Sequence, residues 1–460
     1  MKRFMNTYLK YVFIFAFSLF VLTIFSTYAN TWDALWSYEF SYSIVKGEIP
    51  YIDFVMIIPP FYNYLMAIGL LISHNNFVFL IEQAFLITFC FYFLFKIFDY
   101  KAWLMLALMC FPWFCSFSAT YNFFLYFLFL LLFYLEENQK SDYLIGFIIG
   151  LMLLTKHTVG FFFLFPSIII YRKNWKKNLS RMIGFFIPCI MFLIYLLICG
   201  NFFQFLDLCV LGLVDFANKN TYFSLLYFIP SIAFFALSVL ILFRNPKNIL
   251  CWYVLFAFSI MFPNFSEYHF FVYILFIGVL FLFVLKDKII PKHFVLTITF
   301  SIVFLTVIFQ LIQFVDFKNK SLMITEFKDV SNFNLYFGSK NAKKELEYAN
   351  NLYTRYKKKG NTYFLSREGD LWLKIIHEEK TNYFTILNKG NYGYDGTNKM
   401  KNKIDQMNNV FFIVDNSAYL LSKNESNKNV NQFDYEIIDY IVECSVLIEK
   451  DNQYYVYYKE

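Results

Sequence analysis

A carboxylate and a cation, each at a break between long apolar runs, are the groups in this chain best suited to chemistry. Asp33 follows the first apolar run and lies between Trp32 and Trp36, in a polar, aromatic stretch that continues to Glu39. Lys156 and His157 interrupt two apolar stretches within Thr155-Lys156-His157-Thr158, and Glu267, Tyr268 and His269 interrupt two more. Tyr121 and Asn122 open a further run. A carboxylate can take the proton of an attacking hydroxyl. A cation can hold a phosphate and stabilise the charge that collects on a leaving group. Ionisable groups at membrane depth are costly to bury, which makes them functional candidates by default. Each also has a plainer reading. Tryptophans beside Asp33 suit the aromatic belt of a membrane interface, and Lys156 can snorkel to the surface on its aliphatic stem.

The elements that must position these groups are membrane-embedded. Fifty-nine per cent of the 460 residues are hydrophobic, 23% are aromatic and 16% are charged. A soluble domain carries about 25% charged residues. The chain instead repeats apolar runs long enough to cross a hydrocarbon core about 30 Å thick. This makes it a polytopic α-helical membrane protein of about 11–13 spans. The net charge of +7 is modest, and no dense basic face with interleaved aromatics points to nucleic acid. Eight cysteines show neither a CxxC nor a Cys/His ligand spacing, so neither a disulfide framework nor a zinc site is supported. Gly-rich phosphate loops, HExxH and EF-hand patterns are also absent from the sequence. The basic, apolar start resembles a signal peptide without a small-x-small cleavage site. Residues 11–28 are therefore expected to stay as a first helix with a cytoplasmic amino end.

Twelve candidate spans follow from the apolar runs, at about 9–28, 57–73, 77–96, 102–118, 121–135, 143–156, 159–171, 182–200, 223–243, 249–262, 269–285 and 294–314. Basic loops at 171–177, 244–247 and 286–292 should face the cytoplasm. Residues 117–122, 155–158, 201–221, 263–269 and the tail then fall outside. A cytoplasmic start and an external tail need an odd number of crossings, so one of the twelve must not cross, and the ambiguity lies between 54 and 100. The first external loop, 29–60, carries Gly47, Pro50, Pro59 and Pro60, which favour a turn and rigid extended backbone. The chain divides into a membrane module, 1–315, and a small extracytoplasmic α/β domain, 316–460. In the latter, expected strands at 362–366, 410–414 and 454–458 alternate with helices near 370–378, 398–408 and 433–443.

Trp32-Asp33, Trp36 through Tyr42, Lys46 through Phe54 and Pro59-Pro60 together resemble the first external loop of the GT-C superfamily. These are membrane glycosyltransferases that use polyprenyl-phosphate sugars, such as protein O-mannosyltransferases and the aminoarabinose transferase of lipid A. Tyr121-Asn122 opening a helix, and the Gly146-x-x-x-Gly150 segment that ends at Lys156, are similar too. The resemblance implies that Asp33 is the catalytic base. It places Lys156 on the lipid-phosphate side; the residue reading adds His157, Tyr268 and His269 there as candidates, and Glu39, Tyr51, Asp53, Tyr121, Asn122 and Glu267 on the loop and acceptor side. Ala34 stands where the family often has a second acid, and 117–122 offers only neutral polar groups, so a divalent metal has no support. No cofactor is implied.

The expected partners are an undecaprenyl-phosphate sugar in a bacterial plasma membrane and an envelope glycan, teichoic acid or glycolipid acceptor. Three other readings compete. A lipid-linked glycan flippase or transporter predicts mid-span charges and repeats, and Glu82 is the clearest such charge. A polysaccharide polymerase or ligase predicts its key loop late among the spans. A non-catalytic assembly factor should tolerate Asp33→Asn.

Overall fold

The computed structural model describes residues 2–24, 32–102, 105, 120–219, 224–262, 265, 267–287, 324–327, 330–366, 371–380, 384, 387–416 and 434–460. In the membrane module these form α1 (Lys2–Ile24), α2 (Trp32–Val45), α3 (Phe61–Leu70), α4 (Asn76–Phe98), α5 (Tyr121–Glu137), α6 (Asp142–Leu153), α7 (His157–Ile170) and α8 (Trp175–Cys199). There follow α9 (Phe202–Phe205), a π-helical turn (Leu206–Leu211), α10 (Gly212–Lys219), α11 (Leu225–Arg244), α12 (Ile249–Ala257) and α13 (Glu267–Asp287). Among the described residues, four helices, Asn76–Phe98, Trp175–Cys199, Leu225–Arg244 and His269–Lys286, are long and apolar enough to cross a membrane. The expected spans 102–118 and 294–314 lie outside the described residues, apart from Ala102 and Met105.

Contacts sort the helix ends into two sets. At one end of the bundle, Lys10 of α1 sits 4.1 Å from the ring centroid of Phe95 of α4. There too, Phe93 of α4 packs on Tyr134 of α5, Arg181 of α8 reaches Glu136 of α5, and Lys286 of α13 reaches Glu137. At the opposite end, Asn201 after α8 bonds to Pro50, Lys156 before α7 bonds to Asn122 of α5, and Phe228 of α11 packs on Phe265. The described parts of the basic loops, 171–177, 244–247 and Lys286, all belong to the first set. Residues 46–60, 154–157 and 201–219 belong to the second.

The ambiguous stretch between 54 and 100 contains α3. At 10 residues it is about 15 Å long, half of what a span needs. Near its start, Gln83 Nε2 donates to the Tyr62 hydroxyl at 3.0 Å, and near its end Gly69 N–H donates to Glu82 Oε1 at 2.8 Å. Both ends of α3 thus meet one turn of α4, so the helix lies across α4 rather than along it.

The first loop also departs from the expectation of extended backbone, because its residues 32–45 are helical. The segment has neither Gly nor Pro to break a helix, and 34–43 is buried on nearly every side. A helix enclosed all round shows no polar stripe, and the period that would announce it is missing. The proline-bearing part, 50–60, is irregular as expected.

Glycines decide the closest helix contact. A Cβ on Gly146 of α6 would stand 1.9 Å from the Arg181 carbonyl oxygen of α8, and one on Gly184 of α8 would stand 2.0 Å from the Tyr143 carbonyl oxygen. The backbones of α6 and α8 therefore touch, which small residues permit in a membrane. That approach drives Arg181, 1% exposed, into the bundle. Its Nη1 and Nη2 donate to the two carboxylate oxygens of Glu136 at 2.6 and 2.8 Å, its Nε donates to Asp142 at 2.8 Å, and Nη1 also donates to Ser167 at 2.9 Å. The Tyr253 hydroxyl donates to Glu136 at 3.0 Å, so α5, α6, α7, α8 and α12 converge on one guanidinium.

The tail domain contains β1 (Ile324–Glu326), β2 (Phe337–Ser339), α14 (Lys340–Lys357), β3 (Asn361–Leu365), α15 (Leu371–Ile376), α16 (Gly396–Asp405), β4 (Val410–Asp415), α17 (Tyr435–Cys444), β5 (Val446–Lys450) and β6 (Tyr454–Lys459). The main sheet runs β3-β4-β6-β5, with β3 and β4 parallel and the other pairs antiparallel. Along β4, Val410, Phe412 and Val414 join a core with Met400, Ile404, Ile437 and Ile441, while Phe411 and Ile413 join another with Leu352, Tyr353 and Tyr356. This period of two builds a sheet covered by helices on both faces, the small α/β unit that was expected.

Two outcomes test this description. Arg181→Met should destabilise the bundle by about 3–5 kcal/mol, because it leaves Glu136 buried and unpaired. Detergent thermal melts should show it clearly below Arg172→Met, a basic-loop control. In the tail, burial pushes the Glu379 carboxyl up, but hydrogen bonds from Lys357 and Tyr353 and the charge of Lys374 outweigh this and leave it below the ordinary value of 4.5. A lowered carboxyl adds stability above its unfolded value and loses it as pH falls through the folded one. Glu379→Gln should therefore melt earlier than wild type at pH 7 and converge with it below about pH 4.

Candidate functional site

Lys156 is placed by a tight helical hairpin. Helix α6 ends in a turn in which Thr155 N–H and Lys156 N–H both donate to the Met152 carbonyl, at 3.2 and 2.9 Å. Lys156 itself is extended, with φ −149° and ψ 103°, and it begins α7. The hairpin can close because a Cβ on Gly160 would lie only 2.1 Å from the Leu153 nitrogen, so glycine alone fits there.

The lysine side chain folds back into the bundle and is 7% exposed. Its Nζ donates to Asn122 Oδ1 at 3.0 Å and lies 3.5 Å from His269 Nε2. It also stands 5.6 Å from the centroid of the Tyr121 ring, within cation–π range. An ammonium has only donors, so a bond between the two requires His269 Nε2 to accept. Three separate helices thus bring together Lys156, Asn122, Tyr121 and His269. Asn122, expected on the acceptor side, is the hydrogen-bond partner of the lysine.

Polar capacity remains around this group. Asn122 Nδ2, Thr158 Oγ1 and both ring nitrogens of His157 are buried with no hydrogen-bond partner among the described residues. Buried polar atoms of this kind are costly unless something polar meets them. The cluster can therefore offer a cation, amide and hydroxyl donors, and imidazole nitrogens to an anion at the end of an apolar bundle. Among the described residues, no group of three or more His, Cys, Asp or Glu side chains is placed to hold a metal.

The other expected site residues divide by position. Asp33 lies in the first turn of α2, and Glu267 and Tyr268 open α13, but the side chains of all three are outside the described residues. Glu39, on α2, is 1% exposed. Tyr51 and Asp53 build the loop. Tyr51 adopts φ 72°, donates its hydroxyl to the Ile58 carbonyl at 2.9 Å and packs against Phe205. Burial holds its phenol well above the ordinary value. Asp53 Oδ2 accepts the Ile49 N–H at 2.7 Å, closing the turn.

Some important residues had no sequence signal. Arg181 belongs to a run that reads as a cytoplasmic basic flank, and nothing along the chain pairs it with Glu136. Asp207 and Asp215 sit in an amphipathic stretch and bind the tail domain: Asp207 pairs with Lys399, and Asp215 accepts the Asp395 N–H.

No protein-family model matches the sequence, and no curated protein does either. Among solved structures, the crystal structure of ArnT from Cupriavidus metallidurans bound to undecaprenyl phosphate is similar, with a TM-score of 0.54 and 10% sequence identity over 98% of each chain. The likeness spans the membrane module and the tail together. The chain shares the fold of that structure, in agreement with the resemblance read from the first loop, Tyr121-Asn122 and the segment ending at Lys156.

Proposed function

We propose that this protein transfers a sugar from a polyprenyl-phosphate donor to an envelope glycan, teichoic acid or glycolipid on the outer face of the membrane. The observation that carries the reading is the Lys156 ammonium, buried with Asn122 and His269 at the end of the bundle opposite the basic loops. The fold is shared with ArnT, a protein whose structure holds undecaprenyl phosphate. The basic loops lie at the opposite end of the bundle, so the positive-inside rule puts that end in the cytoplasm and Lys156 outside.

The chemistry needs few parts. The lipid phosphate is already an activated leaving group, so no nucleotide is required. Asp33 takes the proton of the acceptor hydroxyl as its oxygen bonds to the anomeric carbon. The bond from that carbon to the phosphate oxygen breaks, with inversion, and its electron pair leaves with the polyprenyl phosphate. Lys156 meets the charge that collects there, with hydrogen bonds from Asn122 and Thr158 and with His157 and His269 at its side. Burial strengthens each of these interactions relative to water.

The protein in lipid nanodiscs, with undecaprenyl phosphate as the probe, tests the first half of this scheme. Lys156→Ala should weaken binding about 10–100-fold, the range for losing a hydrogen bond to a charged group. Asp33→Asn should leave that binding within about twofold yet slow transfer of label from an undecaprenyl-phosphate sugar to native membrane acceptors by about 10²–10⁴. Wild-type transfer by Asp33→Asn, or wild-type binding by Lys156→Ala, would sink the reading.

A further inference from the structure

We infer that the tail domain fixes the first-loop helix α2, by closing a ring of contacts whose last link is the seat of tail residues 390–399 on residues 207–216. The ring starts at α2, whose carboxyl end runs into loop 46–58. That loop is pinned to the segment after α8. Asn201 Nδ2 donates to the Pro50 carbonyl at 3.0 Å, Tyr51 packs edge-on to Phe205, and Cys209 Sγ lies 3.5 Å from the Met56 carbonyl. Phe40 of α2, with Phe54, Met56, Leu196 and Leu208, fills the apolar core of this joint.

The second joint joins that segment to the tail. Lys399 Nζ stands 2.7 Å from each carboxylate oxygen of Asp207, and Asp395 N–H donates to Asp215 Oδ2 at 3.0 Å. Between these bonds the two backbones touch. A Cβ on Gly212 would stand 2.8 Å from Gly393 Cα, and one on Gly390 would stand 2.8 Å from Phe216 Cα. The π-helical turn Leu206–Leu211 lets two aspartates eight positions apart share the tail-facing side, since an uninterrupted α-helix would rotate them well apart.

The third joint returns to α2. Phe333 packs 5.9 Å from Tyr38 and 4.6 Å from Trp372. The Asn332 carbonyl accepts the Asn76 N–H at 2.9 Å, while its Nδ2 donates to the Ile375 carbonyl at 3.2 Å. Lys46, just past α2, pairs with Glu378 at 3.1 Å. Helix α2 is therefore held from its loop side and from its tail side, and the second joint is what makes the two holds one body. Asp207, Gly212, Gly393 and Lys399 are positioning residues. Their consequence for transfer rests on the function proposed above, because α2 carries Asp33.

Gly212 separates docking from folding. It has an ordinary helical φ of −62°, so a side chain there meets chiefly the Gly393 backbone, with the Asp207 carbonyl 3.0 Å away on its own segment, whereas Gly390 and Gly393 need φ of +81° and +84°. Hydrogen exchange on the full chain in nanodiscs should show α2 amides exchanging about tenfold faster in Gly212→Val, with β3, β4 and β6 still protected. Asp207→Lys and Lys399→Asp alone should loosen α2 in the same direction, and the two together should restore it. Unchanged α2 protection in Gly212→Val, or no recovery in the double swap, overturns the ring. In the transfer assay Gly212→Val should lower kcat with KM for the donor unchanged. A loosened α2 with undiminished kcat overturns the positioning role while leaving the Lys156 binding test untouched.

Discussion

The guanidinium of Arg181 is 1% exposed, so protein groups must satisfy it, and the helices are arranged around that need. Glu136 meets it edge to edge, Asp142 and Ser167 take further donors, and Tyr253 completes the carboxylate. A planar fork of fixed donors suits such a site in a way a lysine would not. The cluster sets the relative height of five helices, because each contributes a group that reaches the same point. The glycine contact between α6 and α8 makes it possible, since a wider spacing would pull the guanidinium from its partners.

That constraint extends to the other end of α5. Glu136 and Asn122 belong to one helix about four turns apart. Fixing Glu136 therefore fixes how deep Asn122 sits, and Asn122 receives the Lys156 ammonium. Helix α6 carries the same logic, with Asp142 at its start and the Lys156 turn just past its end. The two buried cations stand at opposite ends of the bundle. Arg181 is met by two carboxylates. Lys156 has a carboxamide and an imidazole close to it.

The tail domain changes what the first loop is. Helix α2 is covered by α3, by the aromatic group of Phe333, Tyr336 and Trp372, and by loop 46–58. Its burial nearly all round makes it a component of a composite core to which membrane module and tail both contribute. The hydroxyls of Ser37 and Ser41 are hidden with it, and the Ser41 hydroxyl bonds back to the Ser37 carbonyl, so burial leaves that donor satisfied.

What could be read along the chain was whatever depends on local composition or on a short period. The apolar runs marked most membrane helices, the basic loops sorted to one end, and β4 showed its alternation. The Gly146-x-x-x-Gly150 spacing marked a close helix contact without naming its partner. Helix α2 was missed because all-round burial erases the period that signals a helix, and α14 and β5 were not anticipated. The orientation of 61–70 across α4 was not legible, because hydropathy does not distinguish a helix lying across its neighbour from one lying along it. The sequence by itself determined that the chain is a membrane bundle with a small α/β tail, and that a few polar groups interrupt its apolar runs. Only the tertiary structure decided that Lys156 meets Asn122 34 positions away, that Arg181 faces inward, and that Asp207 seats the tail. These are contacts between distant segments, set by how helices pack in three dimensions, and no local pattern carries them.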